Sequence, residues 1–269
     1  MLEIFQYEFM QRAFLAGTFV AVVAPLVGLF LIVRRYSGLA DTISHISLVG
    51  VATSLFFGLA PIPISVILST ICAYIIDKLR DSKKVFGESA LAIFTYGSLG
   101  LVSIIISTGR GFSTNLGSFL FGSVLTITVE NLCYIIPLCI SVLCAVIIWY
   151  QKFFVVSFDP ELAKISGVRV GVWNFLLILM ACLVVSSGIL VVGGLLIGAL
   201  MIIPAVTSLQ FRLSFRNTLF LSSFFAVCSL WLGLFVSYYF NLPSGGSVVM
   251  INMMFFGLSL AVNRDGGNI

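Results

Sequence analysis

Charge is what this sequence has least of. Asp, Glu, Lys and Arg make up 9% of its 269 residues, and histidine occurs once; an average soluble domain carries about 25% charged residues. With 60% hydrophobic residues and a mean hydropathy of +1.19, there is too little polar surface to coat a water-soluble globule. The bilayer has to be the solvent for most of the chain. A formal net charge of +4 is no sign of nucleic-acid binding here, because the basic residues fall in short gaps between apolar runs and report topology instead. The weak alternating segments of a membrane β-barrel are also missing.

Catalytic motifs are equally scarce. The six cysteines (Cys72, Cys133, Cys139, Cys144, Cys182, Cys228) all lie in apolar stretches, and none makes a CxxC or a Cys/His zinc spacing. They read as small buried hydrophobes. There is no HExxH and no GxSxG, which argues against an intramembrane enzyme, and no Walker A sequence, so any ATP hydrolysis has to occur on another chain. The first ten residues carry Glu3 and Glu8 and no basic stretch, so no cleavable signal peptide is expected.

What is present is a series of nine apolar segments near the ~20 residues that a spanning helix needs: Phe14–Val33, Asp41–Leu59, Ile62–Ile76, Glu88–Ser107, Leu132–Tyr150, Val170–Val192, Leu195–Phe211, Thr218–Phe240 and Ser247–Val262. The third is short. The sixth and seventh run almost together through Gly193 and Gly194, so a count of eight with one re-entrant segment stays open. The expected fold is an all-α, polytopic transmembrane bundle of eight or nine spans, with residues 1–269 forming a single transmembrane domain. Twelve of the fourteen basic residues (Arg34, Arg35, Lys78, Arg80, Lys83, Lys84, Lys152, Lys164, Arg169, Arg212, Arg216, Arg264) fall on one side, and only Arg12 and Arg110 on the other. The positive-inside rule makes the first side cytoplasmic. The N-terminus is then outside and the C-terminus inside, an odd number of crossings that favours nine.

Three stretches carry chemistry. Asp41 and His45 stand four residues apart and share a face if the segment is helical. A carboxylate and an imidazole one turn apart offer two ligands to a divalent transition metal, with Ser37 and Ser44 placed to orient them. An ionisable group at membrane depth is a functional candidate by default. The alternative is that Asp41 caps the second helix and His45 is a packed polar residue. The longest inner loop, Gln151–Arg169, holds Asp159 as an N-cap, Pro160 at the first helical position, Glu161 in the first turn and Gly167 as a left-handed C-cap. This spells a helix of about two turns, with Leu162, Lys164 and Ile165 on its body; it is either a contact for a cytoplasmic motor or a plain connection. In the run Ser186–Thr207, Gly194 and Gly198 make a small-xxx-small pair and Pro204 withholds a backbone donor, which suits a pathway helix and dense packing about equally.

Together these stretches resemble the membrane permeases of zinc, manganese and iron ABC importers. In that family the second helix opens with Gly-Asp-x-x-Ser-His-x-x-Leu-Pro-Gly; here Asp41, Ser44, His45, Leu48 and Gly50 match, while Ala40 and Val49 stand for the Gly and the Pro. Asp159–Gly167 is similar to the family's ATPase-contacting loop, and Leu120–Thr126, Leu195–Ala205 with its Ile-Ile-Pro-Ala, and Pro243–Gly245 resemble further shared motifs. The resemblance spans Phe14 to about Val262. It implies a permease that is not itself an enzyme, a homodimer of this chain, two cytoplasmic ATP-binding subunits and an external metal-binding protein, working in the bacterial inner membrane. The transported ion is expected to be Zn(II) first, with Mn(II) or Fe(II) second, and no permanently bound cofactor is expected. The rival is a secondary transporter, which usually spreads acidic residues over several broken helices; only the Asp41/His45 region has ionisable residues with a claim to depth.

Overall fold

The computed structural model describes residues 6–81, 86–108, 119–122, 127–194 and 196–264. Readings that rest on Lys83, Lys84, Arg110, residues 109–118, residues 123–126 or Leu195 lie outside those residues. Helices α1 (Glu8–Val33), α2 (Ser37–Phe57), α3 (Pro61–Asp81), α4 (Gly87–Thr108) and α5 (Val129–Ile148) are followed by two short ones, α6 (Tyr150–Phe158) and α7 (Pro160–Ile165). Then come α8 (Val170–Gly188), α9 (Ile197–Leu209), α10 (Phe215–Phe240) and α11 (Ser244–Arg264). Eight of these are long and apolar enough to cross a membrane, and α9 is a shorter apolar helix.

Side-chain contacts fix the direction of each helix. Phe30, near the end of α1, meets Phe153 and Phe215, the latter at the start of α10. Phe14, near the other end of α1, meets Trp231 and Phe235 further along α10. So α1 and α10 are antiparallel. Arg34 donates to Asn174 at the start of α8, whereas Gly188 at its end lies against Val20, so α8 opposes α1 as well. From there α9 turns back, because Ile197 packs on Gly188 while Met201 reaches Gly28. Among the described residues α8, α9 and α10 thus alternate in direction, with α9 a shorter apolar helix beside the eight long ones. The third segment, short by sequence, is a full 21-residue helix. The sixth and seventh are not one rod: α8 stops at Gly188, and Gly193 has a φ of +97° that no helix accepts.

Helix α1 is the hub, packing on α2, α5, α6, α8, α9 and α10. With lipid as apolar as leucine, helices associate through close packing and a few polar ties. Both devices are present. A Cβ on Gly28 would stand 2.0 Å from the Met201 carbonyl oxygen of α9, and one on Gly50 would stand 2.4 Å from the Ser65 Cα of α3. The polar ties are Ser223 Oγ donating to the Val22 carbonyl at 2.9 Å, Trp231 Nε1 donating to Thr18 Oγ1 at 3.0 Å, Thr42 with Thr95 at 2.9 Å, and Ser47 with Ser186 at 3.3 Å.

The contrast between glycines makes a test. Gly28→Ala places a methyl on a backbone oxygen that cannot rotate away, and overpacking of this kind costs about 1–3 kcal/mol. Gly97→Ala and Gly100→Ala in α4 meet nothing within 4 Å and should raise helix stability by about 0.5–1 kcal/mol each. Thermal aggregation midpoints of the three variants in detergent should fall for the first and hold or rise for the others. An unchanged midpoint for Gly28→Ala would refute the close α1–α9 contact.

Candidate metal pathway and coupling surface

Asp41 lies one turn inside α2, not at its start; the N-cap is Tyr36. Capping therefore does not account for Asp41. At 1.5 Å per residue, Asp41 and His45 stand about 6 and 12 Å from the beginning of the helix, in the half of the membrane that the basic residues mark as cytoplasmic. The two side chains do share a face, with His45 Nε2 3.8 Å from Asp41 Oδ1. Their surroundings differ sharply. The His45 side chain is 11% exposed and the Asp41 side chain 59%. The other ring nitrogen, Nδ1, is buried without a hydrogen-bond partner among the described residues. No group of three or more His, Cys, Asp or Glu side chains gathers among the described residues, so Asp41 and His45 stand as a pair.

Neither Ser37 nor Ser44 hydrogen-bonds the Asp41 carboxylate or the His45 ring among the described residues. Ser44 Oγ donates to the Asp41 backbone carbonyl at 2.9 Å, an intrahelical bond of the kind common in membrane helices. Ser37 is exposed at the first position of α2. The wall opposite Asp41 is glycine: the Cα and N of Asp41 lie 3.6 Å from a Cβ built on Gly198 in α9. Gly194 does not pair with Gly198 along one helix, because it precedes α9. Its own neighbour is Leu48 of α2, 2.5 Å from a Cβ placed there. Pro204 is inside α9, which continues through it to Leu209.

Residues 189–194 are non-helical and buried. Irregular backbone at membrane depth survives only when protein satisfies its polar groups, and here it does. Gly193 N–H donates to Ile189 O at 3.1 Å and Gly194 N–H to Phe119 O at 2.8 Å. A Cβ on Gly193 would be 2.3 Å from Gly122 N, and one on Gly245 would be 1.8 Å from Val192 O. The three motifs that stood far apart in the sequence, around Gly122, Gly193 and Gly245, thus form one junction. Their shared need for glycine is the sequence signal that could have joined them.

The inner loop folds as its capping residues dictate. The Asp159 carboxylate accepts from Glu161 N at 3.0 Å and from Leu162 N at 2.9 Å. Pro160 takes the first helical position. At the other end Gly167 has a φ of +78°, its N–H donates to Lys164 O at 3.0 Å, and Val168 N–H donates to Ala163 O at 2.9 Å, the paired bonds of a Schellman stop. Ala163 is buried beneath α7, while Phe158, Leu162 and Ile165 are 54%, 51% and 84% exposed. Before α7 the chain adds a helix the loop reading lacked, α6. Its Phe154 ring lies tilted against Phe158 at 4.5 Å and edge-on to Phe215 at 5.2 Å, and its Phe153 meets Phe30 and Trp173. The i, i+4 aromatic pair Phe154/Phe158 was its only sequence mark.

A family model described as the ABC 3 transport family matches residues 6–263. The chain belongs to that family. Among curated relatives of this ABC 3 permease, the manganese import system permease protein ScaB of Streptococcus parasanguinis is 30% identical, covering 96% of this chain and 91% of the relative. A probable metal transport system membrane protein of Treponema pallidum is 30% identical over 97% of this chain and 98% of its own length. A probable iron transport system membrane protein of Haemophilus influenzae is 26% identical over 98% and 97%. Among solved structures, PsaBC from Streptococcus pneumoniae in complex with Fab superposes with a TM-score of 0.87 at 32% identity, covering 95% of this chain and 92% of that one. The ABC 3 permease is therefore a multi-pass membrane subunit of a metal importer and not itself an enzyme, and the secondary-transporter and intramembrane-enzyme readings fall.

The cap predicts a local measurement. Asp159→Ala leaves the Glu161 and Leu162 amides without their acceptor and should cost about 1 kcal/mol of α7 stability, seen as roughly fivefold faster hydrogen exchange at residues 161–163 with the spans unaffected. Exchange identical to wild type would show that α7 is held by packing alone.

Proposed function

We propose that Asp41 and His45 are one chain's half of a way-station for a divalent metal ion, completed by the same pair from a second copy. The observation that carries this reading is the exposed carboxylate. A charge facing lipid costs about 2.5–3.5 kcal/mol even on the mild insertion scale, and Asp41 has 59% of its side chain uncovered on a membrane helix. That face has to be covered by protein or water. A two-fold axis beside it would bring two carboxylates and two imidazoles together, a complete set for a transition metal. A half-site per chain also suits transport, since an ion has to leave as readily as it enters.

The cargo we favour is Mn(II), with Fe(II) next. The reading from ligand types alone put Zn(II) first. Oxygen and imidazole nitrogen without thiolate accept all three, and the relatives named for a metal carry manganese and iron in their names. The partners are two cytoplasmic ATP-binding subunits docking on the exposed face of α7, through Leu162 and Ile165 with Glu161 and Lys164 beside them, and an external metal-binding protein at the opposite side.

Three experiments test this. Asp41→Ala and His45→Ala should each lower uptake of radioactive manganese in the assembled importer by about tenfold or more, while membrane insertion and ATPase association stay at wild-type level. Wild-type uptake by both would remove the site. Charge reversal at Glu161 combined with Leu162→Asp should release the ATPase subunit from the purified complex; unchanged co-purification and hydrolysis would make α7 a mere connection. Uptake of Mn(II), Fe(II) and Zn(II) compared in one preparation settles the cargo, and a clear preference for zinc would restore the order given by ligand chemistry.

A further inference from the structure

A cavity of about 790 Å³ lies on the flank of the molecule, away from Asp41, between α5 and α10 over the face of α1. Both α5 and α10 pack on α1 but scarcely on each other, which leaves a groove open to the side. Its floor and walls are apolar, with Val22 and Leu26 from α1, Ile147 from α5 and Phe220 from α10. One end is different. Arg216 and Tyr150 line it there, at the first turns of α10 and α6. Val22 is eleven residues above the end of α1 at Val33, about 16 Å along the axis, so the groove has the depth of one leaflet of a hydrocarbon core about 30 Å thick.

Two facts say what covers it. Arg216 is exposed, and no acidic side chain pairs with it among the described residues. It lies close enough to Tyr150 to act on the phenol, which burial pushes up and the Arg216 charge pulls down. An unpaired guanidinium at the cytoplasmic headgroup level, heading an apolar slot as deep as one leaflet, is complementary to one amphiphile. Basic pockets between helices on the cytoplasmic side hold anionic headgroups, and the slot takes an acyl chain as other apolar surface does. We propose that this groove is a binding site for one anionic phospholipid of the cytoplasmic leaflet, its phosphate on Arg216 and an acyl chain along Val22, Leu26, Ile147 and Phe220. The lipid touches Tyr150 on α6, the helix that leads into α7, so its presence bears on how firmly the coupling surface is seated. Ser223, whose hydroxyl ties α10 to the Val22 carbonyl, keeps the floor closed beneath it.

The test is native mass spectrometry of the full-length chain, delipidated in detergent and titrated with phosphatidylglycerol or with phosphatidylcholine of the same acyl chains. The wild type should retain one phosphatidylglycerol per chain, with phosphatidylcholine held about fivefold less well, in line with ~1 kcal/mol for one basic side chain at the surface. Arg216→Gln should lower the phosphatidylglycerol-bound fraction by a similar factor. Ile147→Trp, an exposed wall position whose change does not enter the core, should lower it through the chain-binding part alone. Both variants should keep the wild-type circular dichroism and melting midpoint. Equal retention of the two lipids, undiminished phosphatidylglycerol on Arg216→Gln, or loss with Arg216→Gln but not with Ile147→Trp would each overturn the site. Displacement of the lipid by millimolar inorganic phosphate would also overturn it, by reducing it to an anion site without a chain.

Discussion

Inside a bilayer a peptide group that leaves its helix finds no water, and each unsatisfied group costs several kcal/mol. Among the described residues that constraint is sharp between Gly188 and Ile197, where the ladder of α8 ends well inside the protein. The break is possible because backbone from a distant segment comes within bonding reach: Phe119 O takes the Gly194 N–H, while Gly122 and Gly245 let neighbouring segments approach without a Cβ in the way. The short helix α9 can turn back toward the cytoplasm only because this junction exists. Its return places Gly198 beside Asp41 and Met201 against Gly28. The position of the proposed ion site therefore depends on a knot of backbone hydrogen bonds on the far side of the same helix.

Polar side chains are rationed by the same rule. Most serines and threonines within the spans bond a carbonyl three or four residues earlier in their own helix, as Ser44, Ser54, Ser98 and Ser187 do. They cost little, and a few also reach a neighbouring helix, as Thr18, Thr42 and Ser187 do. Against that background Asp41 and His45 stand out physically. One is a charge on the surface of a membrane helix, and the other has a buried ring nitrogen without a partner. Neither arrangement is stable chemistry for a chain alone in lipid. Both become reasonable where the face of α2 meets a second protein surface and a passing cation.

How much of this could be read from the residues depended on how local each cause was. The caps of α7 act within eight residues, and Asp159, Pro160 and Gly167 stand where the sequence pattern put them. The spans were legible because hydropathy is a sum over ~20 positions, although the ends moved: α2 begins at Ser37 because Arg34 and Arg35 close α1 just before it. What could not be read were features caused by distant partners. Gly194 and Gly198 looked like one helical face, but Gly194 answers to Leu48 and Phe119. Ser44 looked like a support for the ligands and bonds its own backbone instead. The burial of His45 beside an exposed Asp41 is set by which helices cover α2, and spacing along one helix is silent on that.

The same distant packing connects the two functional surfaces. Phe158, beside α7, packs tilted against Phe154 and edge-on against Phe215, and Phe215 rests on Phe30 of α1. Two residues before Phe30, Gly28 holds the backbone of Met201 in α9. Three residues before Met201, Gly198 faces Asp41. Each step is a contact between rings or between backbones, and protein interiors are packed too densely to absorb a displacement in between. Were a subunit to dock on α7 as proposed, a shift there would pass to α1 and α9 through these contacts. A contact path becomes a coupling path only through an element with two arrangements, and under the proposed function α9 would be that element. It has 13 residues, is bounded by non-helical backbone at one end, and lies on α2 through a glycine that leaves ordinary van der Waals space instead of a clash.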